Sequence, residues 1–274
     1  MAESTPTAED IDLAPGPGPI ARALRAATPW LAVLALLLVW EAGVRLFRVP
    51  DYLLPTPSAI WTDTIALKGA VWGHTLATLS TIAWGFLLAV IVSLPLAVLV
   101  TASPAIGNAV YPLLVLVHSV PKVALAPVLV VALGANEMPR IVVTFLVCFF
   151  PLVISIAAGL LAVPSEYIEL CRSCRASRWR ELRRVRLPYA VPFIFSGLKV
   201  AITLAVVGAV VGEFVAADSG LGYLIQSSTA FFKTPLAFGA IVILAIIGIL
   251  LFQAVVTIER IFFPWSVSDD RFRT

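Results

Sequence analysis

Between Lys68 and Lys122 the chain carries no Asp, Glu, Lys or Arg. About 20 apolar residues cross a bilayer as one helix, so a stretch this long must cross, turn and start back. The turn is marked by TASP at 101–104 and by Gly107 and Asn108, residues that interrupt apolar helices. One span therefore covers about 76–100 and the next begins near Ala109. Hydrophobic residues make up 60% of the 274 residues and charged ones only 13%, against about 25% charged in a soluble domain. Too little polar surface is left to clothe a globule in water. That excludes an ordinary soluble enzyme, a disordered regulator and a disulfide-stapled secreted module.

Four further spans follow from the same reading: 29–46, from Arg140 to about Val163, 191–215 and 236–258. The expected fold is an all-α integral membrane protein, a bundle of six spans. Residues 1–27, with an acidic stretch and a PGPGP run, read as a disordered cytoplasmic tail. Residues 28–263 form the membrane domain and 264–274 a second cytoplasmic tail. The LLPTPSAIW segment at 53–61 leads into a short amphipathic helix, and ADSGLGYLIQSSTAFFK at 217–233 is too short and polar to cross, so it lies at the interface or re-enters. Lys and Arg are placed unevenly. Arg22, Arg25, Arg172, Arg175, Arg178, Arg180, Arg183, Arg184, Arg186, Arg260, Arg271 and Arg273 share one side, and Arg45, Arg48, Lys68, Arg140 and Lys233 the other. The positive-inside rule then puts both termini in the cytoplasm of a multi-pass membrane protein. A net charge of +3 gives no reason to expect nucleic acid.

The loop at 164–190 holds seven arginines in a chain where charge is scarce. Tyr167, Leu170, Cys171 and Cys174 fall at i, i+3, i+4 and i+7, and Trp179, Leu182 and Val185 continue at helical spacing. Two short amphipathic helices are expected, the second capped by Ser177 and stopped by Leu187 and Pro188. Arginines alone would hold the loop in the cytoplasm against anionic headgroups. Two patterned faces with an aromatic anchor at Trp179 exceed that need and fit a docking surface for a soluble partner.

Glu169, Leu170 and Cys171, then Arg175, Val185, Leu187 and Pro188 stand at the places of the Glu-Ala-Ala…Gly…aliphatic…Leu-Pro signature. On these residues the chain resembles the permease subunits of ATP-binding-cassette importers of the nitrate, sulfonate and taurine type. LLPTPSAIW at 53–61, HTLATLSTIAWGF at 74–86, VPKVALAPVLVVALG at 120–134 and GEFVAADSGLGYLI at 212–225 extend the likeness over about 29–263. Arginine takes the place of the family's glycine at 175. Glycine there permits a left-handed turn between the two helices, a conformation that costs another residue about 1–2 kcal/mol.

The resemblance implies a type I importer fold with cytoplasmic coupling helices between spans four and five. It implies an inner-membrane location, a second permease copy as a homodimer, a dimer of ATPase subunits carrying ATP and Mg, and an extracytoplasmic solute-binding protein. Glu169, Arg172, Arg175, Trp179, Leu187 and Pro188 would form the ATPase-coupling surface. The solute would be small and sulfonate-, nitrate- or taurine-like, with vitamin precursors as the alternative. The chain has no GxxxxGK[ST] run to cradle phosphate, so hydrolysis would belong to the partner and no cofactor to this chain.

His118, Lys122, Glu213, Asp218 and Tyr223 are candidates for the pathway or its gates. Lys122 reads either as a cation that draws an anionic solute or as a side chain bonded to carbonyls freed by Pro121 and Pro127. Glu213 and Asp218 bracket the outer end of span five, as gate residues or simply as paired acids. Gly197, Ala201, Ala205 and Ala209, with Gly208 and Gly212 alongside, form a small-residue stripe that suits close packing within the chain or across a dimer. Lys199 is expected to snorkel to the cytoplasmic headgroups. Cys171 and Cys174 form a CxxC without two further ligands and read as fillers of the loop helix. A membrane enzyme would need a catalytic motif that is missing. A lone secondary transporter or channel would call for internal repeats and mid-membrane carboxylates, which are not found either.

Overall fold

In the computed structural model the chain is described from residue 19 to residue 266; of the tails expected at 1–27 and 264–274, the parts 1–18 and 267–274 lie outside those residues. Helices run in the order α1 (Pro19–Leu46), α2 (Pro57–Ala66), α3 (Lys68–Ala102), α4 (Pro104–Ser119), α5 (Lys122–Leu133), α6 (Met138–Leu161), α7 (Ser165–Ser173), α8 (Arg178–Glu181), α9 (Leu187–Ala216), α10 (Leu221–Ala230) and α11 (Thr234–Phe262). No strand interrupts them among the described residues. The tail expected to reach residue 27 is already helical from Pro19.

Four stretches among the described residues are long and apolar enough to cross a membrane: Lys68–Ala102, Met138–Leu161, Arg178–Val215 and Thr234–Phe262. The expected third span is not one helix. Pro121 has no N–H and drives Val120 into an extended conformation (φ −70°, ψ 128°), so α4 and α5 are separate pieces of 16 and 12 residues. Lys122 therefore opens α5 instead of lying within a continuous span. The hairpin turn falls where the sequence placed it, on Ser103 between α3 and α4.

α6 is the centre of the bundle, clasped by α9 on one side and α3 on the other. The small-residue stripe of α9 is what lets the first pair close. A β-carbon at Gly212 would stand 2.8 Å from Arg140 Cα, one at Gly208 2.9 Å from Thr144 Cα, and one at Gly197 2.6 Å from Ser155 Cβ. The partners descend α6 as the glycines ascend α9, the register of two antiparallel helices in backbone contact. Ala201, Ala205 and Ala209 between them are fully buried. The stripe thus serves packing within the chain. Around it lie Val143, Cys148, Leu152, Val153, Ile156 and Leu160 of α6, all buried.

Two polar ties hold the outer helices. Glu41 of α1 accepts from the backbone N–H of Ser58 at 3.1 Å and from its hydroxyl at 2.8 Å, placing a carboxylate at the N-terminus of α2, where the helix dipole favours it. Lys199 of α9 pairs with buried Glu259 of α11 at 2.6 Å instead of reaching the headgroups. The other Glu259 oxygen accepts from Ser266 Oγ at 3.0 Å, so the chain just past α11 folds back in a 3₁₀ turn, Pro264–Ser266.

Candidate functional site

The loop at 164–190 and the turn that carries Glu213 and Asp218 lie at opposite ends of the α6–α9 pair, about 35 Å apart at 1.5 Å per helical residue. At the end where α6 finishes and α9 begins lies the arginine-rich loop. α7 ends at Ser173, and Arg175 takes φ +49°. Its N–H donates to the carbonyl of Arg172 at 2.9 Å, and the N–H of Ala176 donates to the carbonyl of Cys171 at 2.9 Å. This is a Schellman turn, the arrangement a glycine normally completes. Arginine makes the left-handed turn all the same.

Ser177 then caps α8, accepting from the N–H of Arg180 at 3.4 Å. The expected stop at Leu187 and Pro188 does not occur. The chain passes through a π-helical turn, Leu182–Arg186, and runs straight into α9. Pro188 cannot donate to a carbonyl in the preceding turn, and the wider turn, with the N–H of Leu187 bonded to the carbonyl of Leu182, accommodates the interrupted ladder.

Glu169, Leu170, Arg172, Arg175 and Trp179 are exposed together, and Pro188 with them; Leu187 is half-buried against the core. Trp179 is 67% exposed and Leu170 62%. Cys171 is half-buried and Cys174 exposed, so only the first of the two fills space as expected. Arg186, which the sequence did not distinguish from its neighbours, is the joint. Its Nε donates to Glu181 Oε1 at 2.7 Å and its Nη1 to the carbonyl of Leu160, in the last turn of α6, at 3.2 Å. The helical segment entering α9 is thereby tied to the end of α6.

At the other end Glu213 is fully buried. Its Oε1 accepts from Thr78 Oγ1 at 2.8 Å and its Oε2 from the N–H of Gly222 at 2.7 Å. Thr78 Oγ1 in turn accepts from the N–H of Leu221 at 2.7 Å, and His74 Nδ1 accepts from the N–H of Gly220 at 3.1 Å. The carboxylate and its neighbours on α3 thus satisfy three successive N–H groups at the start of α10, donors that a helix cannot satisfy by itself. Gly220 sits at φ +114° with the Glu213 carboxyl so close that any β-carbon would collide with it. Arg140, buried at the start of α6, donates to the Ser219 carbonyl at 3.1 Å and to Glu137 at 2.7 Å. Four helices meet on this turn.

Of the remaining candidates, Tyr223 stacks at a tilt on His74, ring centroids 5.7 Å apart, and Asp218 is exposed at the tip of the turn, accepting from Ser219 Oγ at 3.2 Å. Lys122 lies over the Phe150 ring, 5.1 Å from its centroid. His118 is on α4, and its side chain lies outside what is described. Thr78, His74 and Arg140 were not singled out. Nothing in the local spacing marks Thr78 and His74, whose partners Glu213 and Gly220 lie 135 and 146 residues away, and Arg140 reaches Ser219 79 residues on.

Residues 93–266 match the profile of a family described as the binding-protein-dependent transport system inner membrane component. The chain belongs to that family. This ABC permease is 36% identical over 245 residues to the formylaminopyrimidine transport permease protein of Halalkalibacterium halodurans, covering 89% of this chain and 98% of that one. It is 36% identical to the riboflavin transport system permease protein of Chloroflexus aurantiacus, covering 87% and 90%. It is 30% identical to the taurine transport system permease protein of Escherichia coli, covering 90% and 92%. The permease fold is shared with a chain of the MetNI methionine ABC transporter solved in inward-facing conformations, at a TM-score of 0.58 and 21% identity, over 71% of this chain and 94% of that one.

Proposed function

We propose that two copies of this permease form the pathway of an ATP-driven importer, and that a separate ATPase subunit, holding ATP and Mg, grips the loop at 164–190 from the cytoplasm. The observation that carries the reading is the Arg186 joint. A partner seated on the exposed face of Glu169, Leu170, Arg172, Arg175 and Trp179 moves α7 and α8. The unbroken helix and the bond from Arg186 to Leu160 pass that movement to α9 and α6 together.

Because α6 and α9 touch backbone to backbone, they have no room to slide independently. Their far ends carry Arg140 and Glu213, which hold the turn at 217–220 and α10. A push at the loop therefore displaces the opposite rim, where Asp218 and Tyr223 stand as gate residues. A solute-binding protein would deliver the solute at that rim, outside the cell, with both termini inside.

The solute we favour is a small heterocyclic vitamin or vitamin precursor. The two relatives at 36% identity are permeases for formylaminopyrimidine and riboflavin, whereas the taurine permease stands at 30%. The second reading is a sulfonate, nitrate or taurine-like anion drawn past Lys122, which keeps its cationic head over Phe150. Flux of an anion at limiting concentration, unaltered in Lys122→Gln, excludes that second reading.

Arg186→Ala tests the coupling. The ATPase subunit should still copurify, because Arg186 is half-buried behind the docking face, and ATP hydrolysis should continue while uptake falls about ten-fold or more. Uptake at the wild-type rate contradicts the joint.

A further inference from the structure

A cleft of about 590 Å³ opens between the coupling loop, the first turns of α9 and the chain past α11. Its wall includes Arg184, Val185, Pro188, Tyr189, Pro192 and Phe193. These fall on three successive helical turns, so the wall follows the α9 axis for about 12 Å. It begins in the arginine-rich loop and ends in an apolar span. Tyr167 and Trp265 complete the lining. Both are more than half exposed, and Phe193 at the apolar end is 40% exposed.

We infer that this cleft binds one anionic phospholipid. The phosphodiester lies against Arg184, and an acyl chain runs down Pro188, Pro192 and Phe193. Charge complementarity selects an anion, since Arg184 is the charged residue of the lining. Two tyrosines and a tryptophan of the lining are of the types that settle at headgroup level. A soluble ATPase covers only the loop end of such a groove. The Pro192–Phe193 end belongs to a helical stretch long and apolar enough to cross a membrane, where a lipid chain is the occupant at hand. The site borders the coupling loop and shares Pro188 with it, so an occupied cleft would brace the base of the lever.

The test uses the assembled importer, permease with its ATPase subunits, in nanodiscs of mixed phosphatidylglycerol and phosphatidylcholine. After transfer to detergent, retained lipid is counted by native mass spectrometry. Wild type should keep phosphatidylglycerol in preference to phosphatidylcholine. Arg184→Gln should lower the retained phosphatidylglycerol about five-fold, and Arg183→Gln, exposed and outside the cleft, should leave it unchanged. Equal retention of both lipids by wild type overturns the inference, as does an Arg184→Gln complex that retains as much as wild type. A cross-link from position 192 to the ATPase subunit also overturns it, by giving the groove to protein.

Discussion

Thr78 Oγ1 donates to Glu213 Oε1 at 2.8 Å in the fully buried joint where α3 meets α9. The same hydroxyl accepts from Leu221 N–H at 2.7 Å, so one threonine connects the carboxylate to the first residue of α10. Glu213→Ala strands that hydroxyl and the Gly222 N–H in a closed space, at a cost of about 1–3 kcal/mol for each unsatisfied group. Glu213→Gln keeps an oxygen for Gly222 and turns its amide NH2 to the Thr78 hydroxyl, which accepts instead of donating, so the Gly222 N–H keeps its partner. The alanine variant should therefore melt well below the glutamine variant in detergent, and uptake driven by the binding protein should fall in the same order.

The α6–α9 contact predicts a contrast between two glycines. Gly208→Ala places a methyl 2.9 Å from the Thr144 backbone, which cannot rotate away, and should cost about 1–3 kcal/mol. Gly248→Ala meets nothing nearer than Val206 Cγ2 at 4.0 Å and should be neutral or gain up to about 1 kcal/mol from helix propensity. Thermal unfolding of the purified complexes compares the two directly.

Arg175 predicts a gain. With φ at +49°, Arg175→Gly should relieve about 1 kcal/mol of backbone strain and leave uptake intact. Arg175→Val, whose branched side chain resists this conformation, should lower both the unfolding midpoint and the recovery of ATPase subunit. Loss of the ATPase subunit from the glycine variant would show that the guanidinium itself is a contact.

Lys199 and Glu259 predict a stability loss toward the end of the bundle that carries the loop at 164–190. Glu259 is 3% exposed, and Lys199→Met leaves its carboxylate buried with only Ser266 as partner. The variant should lose about 2 kcal/mol, read as a lower unfolding midpoint. The paired substitution Lys199→Met with Glu259→Gln should recover part of it, because an uncharged amide costs less to bury than an unpaired carboxylate.

These cases separate what the sequence carries from what it does not. Four of the six expected spans, the hairpin turn and the loop were legible because each depends on local composition: a charge-free run, a TASP turn, arginines at helical spacing. The Ser177 cap was legible for the same reason. The π turn was not, because proline signals a helix stop unless the preceding turn can widen. Lys199 read as a snorkelling cation since its partner lies on another helix. The small-residue stripe announced close packing, and only the fold says that α6 is what it packs against. Thr78, His74 and Arg140 carry no local mark, and they acquire meaning when four helices converge on Gly220.

The account stands or falls on where the work enters. Proteoliposomes holding this permease, its ATPase subunits and ATP should accumulate radiolabelled solute against its gradient when the solute-binding protein is supplied, and should fall to leak level when the ATPase subunits are omitted. Uphill accumulation by the permease polypeptide alone would contradict it.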